Sequence, residues 1–250
     1  MKKSKKGLLK KFAYLLTAST ALFFLVSGFA PAASGKVVKA DTTIATVSVD
    51  SFSTIYESLD LDSLGLSREA FLYATRGYAE LKSRGTITNT DILSIVDFSL
   101  PSAQKRLFIM NMRTGKLLFN TYVSHGKNSG EGVATRFSND QNSFASSLGF
   151  YITGKTYKGE HGYSLRLEGL EKGINDNALS RGIVVHAANY VNEKMAMQRG
   201  MIGRSLGCPA VPVKLHRPII QQIKEGSCLF LYGPDSSYLT HSMMGKGFRV

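Results

Sequence analysis

The chain has 250 residues, 43% of them hydrophobic, with two cysteines, no tryptophan and a formal charge of +13 at pH 7. That length allows one well-buried domain with a small preface, and two cysteines exclude a disulfide-dense scaffold. The basic excess suits an anionic polymer or a membrane surface, whereas no basic helix, RNP-like aromatic motif or zinc-finger spacing is present, so nucleic acid is not an expected partner.

Six lysines (Lys2, Lys3, Lys5, Lys6, Lys10 and Lys11) crowd the start with no acid among them, and an uncharged stretch runs from Phe12 to Gly35. A basic n-region, an apolar h-region at Ala21–Val26 and small residues beyond it predict a signal peptide over residues 1–32, cut after Ala32 or as late as Ala40. The alternative is an uncleaved anchor, which would give membrane association through the N-terminus. Gly28, Pro31 and the hydroxyl residues dilute the run and favour cleavage. No cysteine follows it, which argues against a lipoprotein. Without residues 1–32 the formal charge falls to +7.

Residues 33–90 read as a linker and a helical preface. A short helix is expected over Phe52–Leu59. Ser67 caps a longer one over Arg68–Arg84, whose Phe71, Ala74, Tyr78 and Leu81 share a face, and Gly85 is placed to end it. From residue 91 the texture turns to β. Strands are predicted at Ile92–Phe98, Arg106–Asn111 and Lys116–Val123, the last entered through the turn Arg113-Thr114-Gly115. His125–Ser147 is a long Gly/Ser/Asn-rich loop, a length usually functional or mobile. Further strands are expected at Ser147–Ile152, Gly162–Leu167 and Gly182–His186. A helix follows at Leu215–Lys224, with Pro218 tolerable in its first turn and Gly226 ending it. Cys228–Tyr232 closes the sheet. The domain is set at 91–235, with a tail at 236–250, and the class is α+β, mostly β.

Chemistry concentrates in Gly203-Arg204-Ser205-Leu206-Gly207-Cys208-Pro209-Ala210 and in His186, which ends the apolar run Gly182-Ile183-Val184-Val185. A thiol becomes a strong nucleophile when an imidazole takes its proton, and the two need only spatial proximity. Backbone N–H groups at Leu206, Gly207 and Cys208 are candidates for stabilising an oxyanion. Arg204 is a candidate carboxylate clamp or a solvated charge, and Ser205 beside it is a further candidate substrate contact. His125, just past a strand end, and Tyr163, which alternates with His161 and Arg166, are candidate substrate contacts or unremarkable surface residues. No His/Cys/Asp/Glu spacing suits a metal, and no Gly-rich phosphate loop is present, so neither metal nor cofactor is expected.

These residues resemble the signature of the YkuD-type L,D-transpeptidases: a histidine, a spacer, then Ser/Thr-His-Gly-Cys. Here 18 residues separate His186 from Ser205-Leu206-Gly207-Cys208. Leu206 stands where the second histidine is usual, and Pro209-Ala210 replaces an apolar-Arg pair, which looks like the family's divergent branch. The resemblance implies a mostly β catalytic domain, an exported protein of the periplasm or cell envelope, and peptidoglycan as partner. It implies Cys208 as nucleophile, His186 as base, and a carbonyl near Ala187 orienting the imidazole. The expected activity is acyl transfer between stem peptides through a Cys208 thioester. One alternative is an L,D-carboxypeptidase or hydrolase using the same thioester. The other is a non-catalytic wall-binding domain in which a Cys208–Cys228 bridge consumes the nucleophile. Cys228, inside an apolar run, reads instead as a free buried thiol.

Overall fold

The computed structural model describes residues 52–242; the signal and anchor readings fall outside them. A short helix α1 covers 52–58. Helix α2, Arg68–Ser83, begins where Ser67 Oγ accepts the Ala70 N–H. It ends through Gly85, left-handed at φ +66°, whose N–H and that of Thr86 bond back to Lys82 and Leu81, a geometry that favours glycine. Ala70, Phe71, Ala74, Tyr78 and Leu81 are buried along one face. Burying each of the large ones contributes about 1.5–3 kcal/mol. Close approach to the sheet depends on Gly77, where any Cβ would overlap the Phe150 ring.

Eight strands form one sheet: β1 (Ile92–Asp97), β2 (Leu107–Asn111), β3 (Lys116–Thr121), β4 (Gly149–Gly159), β5 (Gly162–Gly169), β6 (Val184–Ala188), β7 (Ala210–Pro212) and β8 (Cys228–Tyr232). Their spatial order is β3-β2-β1-β8-β4-β5-β6-β7. Most neighbours are antiparallel, but β1 runs parallel to β8 and β6 parallel to β7. The two edges approach each other. Past β3, the Ser124 N–H donates to Ala210 O at 2.9 Å, and the Ala210 N–H returns to Ser124 Oγ at 3.2 Å. The sheet is therefore curled, with Val96, Val123, Val185, Val211 and Leu229 gathered around Ile219 and Ile223 of α4 (His216–Ile223). On the other face, Phe150 stacks on Phe230 beneath α2.

The architecture is the α+β, mostly β class expected. The helical preface shares one core with the strands, since Tyr56, Leu61, Leu66 and Phe71 join Ile95 and Phe230. Helix α3 (Glu193–Arg199) and strand β7 add to the predicted elements, and α5 (Ser236–His241) occupies the start of the tail, burying Tyr238 near Phe230. Strand β4 runs on to Gly159, well past the predicted end at Ile152. No helix among the described residues is long and apolar enough to cross a membrane.

Candidate active site

Strands β6 and β7 pair in parallel with His186 opposite Ala210 and Ala187 opposite Val211. Carried back two residues, that register sets Cys208 beside Val184, and the Val184 N–H donates to Cys208 Sγ at 3.4 Å. Val184 and His186 are two apart on one strand and so share a face. The fold thus brings the thiol to within one pleat of the imidazole. Cys208 is half-buried, and its Sγ also lies 3.7 Å from Gly182 O. Burial pushes the thiol pKa up, while the Val184 N–H and the nearby Arg181 guanidinium pull it down.

His186 is buried, and its Nδ1 lies 2.9 Å from Ala187 O. A carbonyl only accepts, so Nδ1 carries the hydrogen and Nε2 is the free base. Burial lowers the imidazole pKa, and His161 lowers it further against the opposing pull of the Ala187 carbonyl. His161 sits in the two-residue turn between β4 and β5, and its ring stacks on His186 at 4.2 Å between centroids and 21° between planes.

The nucleophile loop is held from within. Ser205, itself buried, donates from Oγ to Cys208 O at 2.6 Å and accepts the Gly207 N–H at 3.1 Å. The Gly207 N–H is therefore occupied. The N–H groups of Leu206 and Cys208 make no hydrogen bond among the described residues. Leu206 itself is 57% exposed. Gly207 adopts φ +123°, and a Cβ there would sit 2.9 Å from both Ala145 O and Ile183 Cδ1, so only glycine fits.

The long loop 125–147 carries no helix, and three arginines fasten it. Arg181 donates to Ser138 O, Ser147 Oγ, Ser143 Oγ and Ala145 O at 2.7–3.0 Å. Arg204 reaches Gly130 O at 3.0 Å and Lys127 O at 3.3 Å. Arg106, fully buried, holds Val123 O and Leu100 O and donates to His125 Nδ1 at 2.7 Å. Burial lowers its pKa to about 9.

Two expected substrate contacts lie elsewhere. His125 is wholly buried, with Nε2–H directed at Gly130 O, so it has no surface to offer a ligand. Tyr163 lies on the α4 face, its hydroxyl accepting from Gln221 and its ring under Arg217. Pleating puts it with Leu165 and Val185, on the opposite face from His186. His161, named from the sequence with Tyr163 and Arg166, is at the site through its stacking on His186, whereas Arg181 and Tyr190 are near the site and were not singled out by sequence. The Tyr190 phenol is pushed up first by burial and then by neighbouring Cys208. Among the described residues, no three His, Cys, Asp or Glu side chains converge on a metal position.

The His125 environment makes stability pH-dependent. Burial first, then the Arg106 charge, push its pKa down to about 4 from 6.5. Between those values the unfolded chain holds a proton that the folded chain lacks. The contribution is complete above the unfolded value, declines as pH falls, and levels off below the folded value. Its size is about 3 kcal/mol. Urea unfolding near neutrality and at about pH 5 is expected to show a loss of about 2 kcal/mol, the part of that window already crossed. His125→Gln should flatten the difference; an equal loss in that variant would refute the assignment.

A sequence model of the L,D-transpeptidase catalytic domain (YkuD_2) matches residues 62–232. The chain belongs to that family. Its members act on peptidoglycan. No curated protein matches the sequence. Among solved structures, an L,D-transpeptidase from Mycobacterium smegmatis is 13% identical, with 57% of this chain and 59% of that chain covered at a TM-score of 0.36. An L,D-transpeptidase from Stackebrandtia nassauensis is 14% identical over 68% of this chain and 69% of that one, at 0.36. The helical cell shape determining protein Pgp2 from Campylobacter jejuni is 14% identical over 58% and 49%, at 0.37. This L,D-transpeptidase-family chain thus spans 59% of the length of the Mycobacterium smegmatis protein.

Proposed function

We propose that the chain is a cysteine acyl-transferase acting on peptidoglycan stem peptides, with Cys208 as nucleophile and His186 as base. The observation that carries this reading is the β6–β7 pairing, which sets a half-buried thiol beside Val184 and a free imidazole Nε2 one pleat away. With the thiol pKa raised and the imidazole pKa lowered, the resting pair is neutral. His186 Nε2 takes the proton as Cys208 Sγ attacks the carbonyl of the third stem residue. The Cys208 and Leu206 N–H groups are the unengaged candidate donors for the oxyanion; Gly207 joins them only on release from Ser205 Oγ. One such donor typically supplies about 10²–10³ in rate. Collapse expels the terminal D-amino acid, whose amine takes the proton back from His186, leaving a thioester. An amine of a second stem then displaces Cys208.

Cys208 and Cys228 are both free thiols, and Cys228 is buried beside Leu93 and Ile152, which speaks against a bridged, silent domain. The lysine-rich start and uncharged run support export to the envelope, where this substrate resides. Incubation of purified peptidoglycan with the mature protein, followed by mass spectrometry, tests the reading. Crosslinked stems joined through the third residue, with loss of a terminal D-amino acid, are expected. Shortened stems without crosslinks would assign hydrolysis through the same thioester. Unchanged material would sink the proposal.

A further inference from the structure

Between the end of α3 and the start of the 125–147 loop lies a cleft of about 270 Å³. Lys127, Arg199 and Arg204 line it, and no acidic residue does. Met195, Met201 and Ile202 supply its apolar wall. None of the three cations forms an ion pair with a carboxylate among the described residues. Arg199 alone has a local explanation, because a cation is favoured at the C-terminus of α3. Lys127 and Arg204 come from two other segments, so helix electrostatics do not explain the gathering. Like charges converging on one concavity repel unless an anion joins them.

The cleft adjoins the nucleophile loop. Arg204 directly precedes Ser205, Gly126 and Ser205 form a parallel bridge, and the Lys127 N–H donates to Ser205 O at 2.8 Å. Arg204 spends one guanidinium nitrogen, Nη1, on the carbonyls of Lys127 and Gly130. Its Nε and Nη2 make no hydrogen bond among the described residues, leaving that edge for a ligand. The Lys127 ammonium rests over the Phe144 ring at 4.3 Å, which holds it in place without neutralising it.

We propose that this cleft is a carboxylate subsite that recognises a free acidic side group on the stem peptide, away from the bond being broken. A guanidinium edge and an ammonium are matched to a carboxylate, and the methionine wall to the methylenes that carry it. The subsite rests on the wall-peptide reading above and narrows it: stems whose acidic residue is left free are bound in preference to stems amidated there.

The test is a binding titration on the Cys208→Ala form of the mature protein, so that no turnover is needed. The probes are two tetrapeptide stems, identical except that the acidic residue carries a free carboxylate in one and an amide in the other. The free acid should bind about tenfold more tightly, the scale of a charge-assisted contact at a partly open site. The gap should narrow in Arg199→Gln combined with Lys127→Gln, where the Arg204 edge remains, and shrink with added salt. Circular dichroism of that double variant establishes that it is folded. Equal affinities for the two stems would overturn the subsite while leaving the substrate reading intact. A gap left undiminished by the double substitution would overturn it as well. Inorganic phosphate bound in place of any carboxylate preference would also do so, by assigning the cleft to phosphate-bearing polymers. Failure of both stems to bind would refute the wall-peptide substrate itself.

Discussion

Replacing Cys208 with alanine is expected to remove turnover on stem peptides, by at least about 10⁴-fold, while the protein stays folded. The side chain is half-buried and contributes two weak sulfur contacts, to Val184 N–H and Gly182 O. Its loss costs the fold little, about 1 kcal/mol. Cys228→Ala should behave oppositely. That thiol has no exposed surface and sits in the central strand β8, where burial keeps it protonated. Truncation there leaves a small cavity and costs about 1–2 kcal/mol, with the rate retained. Thermal unfolding and product assays on the two variants check the pair. Activity in Cys208→Ala, or a folded but inactive Cys228→Ala, would reverse the assignment.

His186→Ala is expected to slow covalent addition of a carbapenem-type β-lactam to Cys208 by about 10²–10⁴-fold, the usual share of a positioned base. A single mass increment followed over time gives the rate. Equal rates for the variant and the parent would leave His186 as a structural residue. The stacked His161 adds a pH signature. Burial is the larger reason that the His186 pKa is low, and His161 is the next that lowers it. His161→Ala uncovers one face of the ring and removes a neighbouring charge, so both changes let the His186 pKa climb. The acid limb of the acylation profile should therefore move to higher pH. His161→Phe keeps the cover and loses only the charge, so its limb should move less. An unmoved limb in a folded His161→Ala would show the stacking to be incidental.

Apolar runs made most of the sheet legible. Ile92–Asp97 and Cys228–Tyr232 are buried at every position and read as strands without alternation. The far half of β4 carries Lys155, Thr156 and Lys158 on a hairpin that stands clear of the core, so its extent was hidden. Helix α3 buries only Ala196 and has no apolar stripe, although the Asn192 cap and left-handed Gly200 do mark its ends. The pairing of His186 with Cys208 comes from the resemblance to the transpeptidase signature, because the three-residue strand β7 that sets Cys208 beside Val184 carries no strand pattern long enough to read. Tyr163 reads from the sequence either as a groove residue or as part of an outward polar face. Alternation fixes which residues share a face but not which face looks at the thiol. His125 lies in a loop by sequence, and nothing local announces that a buried Arg106 waits beneath it. Arg181 and His161 reach the site only through tertiary folding, and no local pattern encodes that.

The position of β8 has a consequence for how the molecule is made. It is the last strand among the described residues, yet it lies in the middle of the sheet, pairing with β1 on one side and β4 on the other. A nascent chain ending before Cys228 has two half-sheets with no strand to join them. It can bury neither Ile95 nor Phe150 against Phe230. The pairing of residues more than a hundred positions apart must also wait on slow loop closure. Assembly is thus deferred until Cys228–Tyr232 has been made, however early the other strands appear. The same arrangement makes premature stops before residue 228 fatal to the fold as a whole, even though every residue of the candidate site would already have been synthesised.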